Sequence, residues 1–199
     1  MPSVEIQPKR LRGPWDDGYA LHFHTLGSTF LGYDPYGHPR FETTRSPVGD
    51  LLYQLKYRND AEAVAPLIEA IMEFWPKWKP AIDGVIPVPP SNVGRKSQPV
   101  IAVATSLAER LKVPLCTGCI SKTKNTPALK DIFEYDKRME ALEGAFTAVP
   151  QQTRGKRFLL FDDLYRSGAT VSAITDVLKS AGKAKAVYLL TLTRTRSMS

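Results

Sequence analysis

Asp162 and Asp163 stand side by side directly after the apolar run RFLLF, and Ser167-Gly168-Ala169-Thr170 follows four to seven residues further on. A strand buried on both faces does not end in adjacent carboxylates unless they leave the core and meet something. At the carboxyl end of a central strand they face the crevice where open α/β sheets bind ligands. Two acids there accept hydrogen bonds from the vicinal hydroxyls of a ribose, and they approach a magnesium ion through water. Ser167–Thr170 opens a helical segment, so it offers hydroxyls and unpaired amides at a helix N-terminus, a ready phosphate site. Gly168 lets the backbone approach without a Cβ in the way. Acids for the sugar and amides for a phosphate match the two ends of a ribose 5-phosphate. Read separately, Asp-Asp is a turn and Ser167 an ordinary N-cap; the ordered strand, acids, glycine and threonine favour the ligand reading.

Other chemistry-bearing residues say less. Cys116 and Cys119 are the two cysteines, and their C-x-x-C spacing suits a redox pair or half a zinc site. A structural zinc needs two more ligands, and His22, His24 and His38 lie far off in sequence, so two free thiols beside a strand are expected, with no zinc. The net charge of +7, from 27 basic and 20 acidic residues, favours anionic partners. It is dispersed, without a long basic tail, so a phosphate-rich substrate accounts for it as readily as nucleic acid does.

These residues need a scaffold, and the pattern supplies one. Residues 1–18 read as a flexible arm. Tyr19–Thr44 reads as a small antiparallel meander around the turn Asp34-Pro35-Tyr36-Gly37, with His22 and His24 on its solvated face, so a meander or cap spans 19–46. Leu51, Leu52, Leu55 and Tyr57 fit a short helix, and Ala61–Phe74 a longer one closed by Pro76 and Pro80. Strands GVIPVP, VPL, RFLLF and AVYLLTL then alternate with helices Gln98–Leu111, Tyr135–Glu143 and Ala169–Ser180. Unbroken apolar strands alternating with helices predict an α/β, doubly wound, mostly parallel sheet over 47–199. No apolar run approaches a membrane span, and the first residues lack the apolar core of a secretory signal; cytoplasm is the expected location.

The segment FLLFDDLYRSGATV resembles the phosphoribosyl-diphosphate loop of type I phosphoribosyltransferases, and within them the chain resembles the ComF-like proteins, labelled amidophosphoribosyltransferase-like. LLYQLKYRND, VIPVPPS, GRKSQ, AERLKVPL and RMEALEGAF extend the resemblance over residues 50–193. It implies that Asp162 and Asp163 would contact the ribose hydroxyls, and that Leu164, Tyr165, Arg166, Ser167, Gly168, Ala169 and Thr170 would form the 5-phosphate loop. Val88, Pro89, Pro90 and Ser91 would form the pyrophosphate turn, with Arg95 and Lys96 facing the pyrophosphate. Ser121–Tyr135 would be a mobile catalytic loop, with Lys122 and Lys124 as its cations. Lys56, in the matching LKY, reads equally as a solvated helix lysine.

The implied function is binding of phosphoribosyl diphosphate with Mg and transfer of ribose 5-phosphate to a small nitrogenous acceptor, in a homodimer. A non-catalytic sensor of the same metabolite, or a DNA-uptake-associated protein that meets nucleic acid, are the alternatives. The chain departs from the family pattern in lacking a four-cysteine module, and at Leu129, Ala141 and Arg166.

Overall fold

Apolar strands without polar interruption need cover on both faces, and here they have it. The computed structural model describes residues 3–90, 98–124, 132 and 134–196. In chain order its strands are β1 (Lys9–Arg10), β2 (Asp17–Phe23), β3 (Thr25–Tyr33), β4 (Pro39–Arg45), β5 (Gly84–Pro87), β6 (Ile120–Lys122), β7 (Phe146–Ala148), β8 (Arg157–Tyr165) and β9 (Ala186–Arg194). Its α-helices are α1 (Pro47–Tyr53), α2 (Val64–Trp78), α3 (Pro99–Leu111), α4 (Tyr135–Leu142), α5 (Pro150–Thr153) and α6 (Ala169–Lys179). A π-helical turn, Gln54–Arg58, and a 3-10 turn, Ala61–Ala63, join α1 to α2.

The main sheet runs β1-β2-β9-β8-β5, with β2, β9, β8 and β5 mutually parallel and β1 antiparallel at one edge. Alternate residues of each strand enter opposite cores. Leu159 and Phe161 of β8, Leu190 and Leu192 of β9 and Val85 of β5 pack with α1, α2 and α3. Phe158 and Leu160, Val187 and Leu189, and Ile86 pack on the other face with α6 and Leu142 of α4. The expected doubly wound α/β sheet is therefore present. Among the described residues no helix is long and apolar enough to cross a membrane.

The N-terminal third departs from expectation. The antiparallel part of the expected meander is the β3–β4 hairpin alone. β2 leaves it and pairs in parallel with β9, from Asp17 opposite Tyr188 to Phe23 opposite Arg194. The alternation Tyr-Ala-Leu-His-Phe suggested one wet face, but Ala20 and His22 are 0% and 1% exposed, so both faces are covered. His22 is thus no surface residue: its Nδ1 accepts from the Phe23 N–H at 2.8 Å, and burial lowers its pKa. Residues 3–18, read as a loose arm, are tied down at several points. Trp15 is buried, its indole N–H donates to the Leu11 carbonyl at 2.9 Å, and the Asp16 carboxylate accepts from the Val187 N–H at 2.8 Å.

The VPL segment makes only one parallel bridge, Val85 to Leu115, because Pro114 has no N–H to extend a ladder. The thiols expected to be free form a Cys116–Cys119 disulfide, with Cα atoms 5.4 Å apart across the Thr117-Gly118 turn.

Candidate functional site

β8 does not stop at its apolar run. Hydrogen bonding with β9 carries it past Asp162 to Tyr165, while its other neighbour, β5, ends at Pro87. The Val88 N–H donates to the Phe161 carbonyl at 2.8 Å, and the chain then turns away through Pro89 and Pro90. From β5 the chain crosses through α3 on one face to the Leu115 bridge outside β5; from β8 it crosses through α6 on the other face to β9. Strand order thus reverses between β5 and β8, the place where an open α/β sheet leaves a crevice beyond its carboxyl ends.

A cavity of about 250 Å³ lies there, lined by Asp162, Asp163, Lys56, Val88, Pro89, Pro90, Thr170 and the start of α3 from Gln98 to Ile101. The two acids have different environments. Asp162 accepts from the Asp163 N–H at 2.8 Å; burial first, then the charge of Asp163, push its pKa well above the carboxylate range. Asp163 is held on both sides. Its carbonyl accepts from Thr193 Oγ1 at 3.2 Å, and its Oδ2 accepts from Lys56 Nζ at 2.6 Å.

The following turn supplies the second half. Gly168 takes the left-handed conformation, φ 82°, and a Cβ there would lie 2.5 Å from the Tyr165 hydroxyl oxygen. The first bond of α6 runs from the Ser172 N–H to the Gly168 carbonyl at 2.8 Å. Amides of the first helical turn have no carbonyl partner within the helix. No side chain caps α6; the Ala169 N–H reaches Ser167 Oγ only at 3.5 Å. Unpaired amides and the positive end of the α6 dipole are features that suit an anion.

Of the expected site residues, Asp162, Asp163, Val88, Pro89, Pro90 and Thr170 come together on the cavity wall. Gly168 and Ala169 are buried in the turn, Leu164, Tyr165 and Ser167 half-buried around it, and Arg166 exposed. Lys122, in β6, and the exposed Lys124 are not on that wall. Ser91, Arg95, Lys96 and Leu129 lie outside the described residues. Among the described residues, no three His, Cys, Asp or Glu side chains gather to hold a metal ion.

Two residues at this end were undervalued in the sequence. Lys56 reaches Asp163 rather than solvent. His24, at the carboxyl end of β2, puts Nδ1 3.3 Å from Thr193 Oγ1. Burial, then the charges of Lys56 and Arg45, lower its pKa, so it stands uncharged at neutral pH. Its sequence signal was nil: only the pairing of β2 with β9 brings it here.

No family model and no curated protein matches this sequence. Among solved structures, the chain is similar to adenine phosphoribosyltransferase from Trypanosoma brucei in complex with AMP, pyrophosphate and ribose-5-phosphate, at 11% identity, covering 96% of this chain and 87% of that one, with a TM-score of 0.49. It is similar to adenine phosphoribosyltransferase from Saccharomyces cerevisiae at 15% identity, covering 84% and 85%, TM-score 0.44. It is also similar to the glutamine phosphoribosylpyrophosphate amidotransferase of B. subtilis, at 18% identity and TM-score 0.44, covering 75% of this chain but 28% of that one. At these values the likeness is one of chain path and carries no residue roles; those rest on the crevice itself.

Proposed function

We propose that this chain binds phosphoribosyl diphosphate with magnesium and transfers ribose 5-phosphate to a small nitrogenous acceptor, releasing pyrophosphate. One observation carries the reading: Asp162, Asp163, Thr170 of the first turn of α6 and the Val88–Pro90 turn line the same cavity at the strand-order reversal. The acids take the ribose hydroxyls, the turn Ser167–Thr170 takes the 5-phosphate, and the Val88–Pro90 turn takes the diphosphate end.

In the transfer, the acceptor nitrogen forms a bond to the anomeric carbon as the bond to the diphosphate oxygen breaks. The electron pair leaves with pyrophosphate, and the acceptor nitrogen sheds a proton. Positive charge grows on the sugar beside Asp163, and preorganised charges at that place lower the barrier. Asp162 and Asp163 offer hard oxygen donors, the kind that would hold a magnesium ion. Bound there, magnesium supplies charge neutralisation of the leaving group. Lys122 and Lys124 belong to the segment Ser121–Tyr135, proposed to close over the reactants. The proposed assembly is a homodimer, consistent with the aromatic surface of the β3–β4 hairpin, where Phe30 and Phe41 are 49% and 56% exposed.

The test is calorimetric titration with phosphoribosyl diphosphate and magnesium, beside a pyrophosphate-release assay across nucleobases, ammonia and glutamine. Asp162→Asn with Asp163→Asn is expected to keep the fold and to weaken binding tenfold or more, from about 1.5–3 kcal/mol per charge-assisted bond lost. Unchanged affinity removes the acids from the site. Tight binding without release for any acceptor turns the enzyme reading into a sensor reading.

A further inference from the structure

Lys56 belongs to none of the elements that carry the cavity's other polar groups. It comes from the π-helical turn Gln54–Arg58, which closes with the Asn59 N–H donating to the Gln54 carbonyl and Asn59 left-handed at φ 54°. Such turns are rare and recur at functional sites, because the extra residue in the turn re-aims a side chain. Here its anchors are plain. Leu55 is buried in the core, Tyr57 is 60% exposed, and Gln54 Nε2 donates to Asp50 Oδ2 at 2.7 Å. Lys56, between the buried and the exposed neighbour, reaches across the carboxyl end of the sheet. Its Nζ lies 2.6 Å from Asp163 Oδ2, with the lysine and aspartate side chains only 17% and 12% exposed.

A lysine and an aspartate this enclosed are costly unless paired, and an uncompensated Asp163 carboxylate in the cavity would repel a phosphorylated ligand. The geometry solves both problems at once. With Lys56 on Oδ2, the Asp163 carboxylate keeps one orientation and loses its net repulsion, and its other oxygen remains for a hydroxyl donor. Resting on the ligand reading above, we propose that Lys56 is a positioning residue: it orients and charge-balances Asp163 so that the acidic floor accepts an anionic, phosphorylated sugar. This gives the π-turn a functional reason and makes the segment before α2 part of the sugar subsite.

The experiment measures magnesium phosphoribosyl diphosphate affinity by calorimetry for the full chain and for Lys56→Met, Lys56→Arg, Asp163→Asn and Lys56→Met/Asp163→Asn, each with its melting temperature. Lys56→Met is expected to lose about tenfold or more in affinity, and Lys56→Arg to recover most of it by restoring the charge and the donor. Because Lys56 acts through Asp163, the double variant is expected to bind no more weakly than Asp163→Asn alone, a non-additivity that a general loss of stability does not produce. Lys56→Met binding within about twofold of the unaltered chain overturns the inference, as do losses that multiply in the double variant. If the unaltered chain itself fails to bind, the ligand reading falls and takes the inference with it; binding by the unaltered chain with an indifferent Lys56 sinks the inference alone.

Discussion

Gly168→Ala is the substitution on which the turn before α6 can be judged most sharply. Gly168 is left-handed, and an L-residue there costs roughly 1–2 kcal/mol in backbone sterics. The added carbon also has nowhere to go: it would lie 2.5, 2.8 and 2.9 Å from Oη, Cζ and Cε2 of Tyr165. That ring has little freedom to retreat, with Trp15 edge-on at 6.1 Å and the Arg194 guanidinium 5.9 Å from its centroid. Overpacking of this kind adds about 1–3 kcal/mol. The sum, roughly 2–5 kcal/mol, corresponds to a fall in melting temperature of about 4–20 °C for a chain of this length. Thermal melting by circular dichroism reads it, and calorimetry with phosphoribosyl diphosphate reads the accompanying loss of affinity as the first amides of α6 are displaced. Tyr165→Phe is expected to give no rescue, since Cζ and Cε2 remain in the way. Tyr165→Ala should cost less in the Gly168→Ala background than by itself, because the two residues contend for one space. A Gly168→Ala protein that melts within about 1 °C of the parent, with equal affinity, refutes the reasoning about this turn.

Three further outcomes follow from other parts of the molecule. Lys122→Ala with Lys124→Ala is expected to lower pyrophosphate release more than ligand affinity, since contacts made on closure count mainly in the transition state; equal losses in both would place these lysines in the ground-state site. Asp83 accepts two bonds from the Arg157 guanidinium and one from the Arg157 N–H, which hold its pKa at about 2 against an ordinary 3.8. Its stabilising contribution is therefore present above pH 3.8 and lost as pH falls through about 2, so the melting deficit of Asp83→Asn at neutral pH should close over that window. Alkylation of the unfolded, unreduced protein should label neither Cys116 nor Cys119, and reduction should expose both thiols while lowering the melting temperature by a few degrees, about 2 kcal/mol for so short a loop.

The turn that opens α6 was readable because it is local. The apolar strand, the two acids, Gly168 and the helix that follows are contiguous, and their order already states strand, turn and helix N-terminus. The pair of acids was readable only in part: Asp162 and Asp163 announced themselves, but their separation into one with a raised pKa and one paired with Lys56 did not. His24 gave no sign, since its place depends on β2 lying against β9. The disulfide was equally hidden, because two cysteines three apart are compatible with thiols, metal or a bridge until the turn between them is folded.

By itself, then, the sequence determined strands β5, β8 and β9 with helices α3, α4 and α6, the doubly covered sheet implied by unbroken apolar strands, and the strand–turn–helix that ends in Thr170. Those depend on side-chain period and backbone preference, which act over a few residues. Tertiary structure alone decided which strands are neighbours and which distant side chains meet. The Asp16 carboxylate and the Val187 N–H it receives are 171 residues apart, and no local preference pairs segments across such a distance. The burial of Ala20 and His22 on the same strand face, the ending of β5 at Pro87 beside a longer β8, and the reach of Lys56 to Asp163 all arise from that packing. Hydrophobic burial is non-directional, so it drives the strands together without naming partners; the shape of the cavity follows from which partners fit.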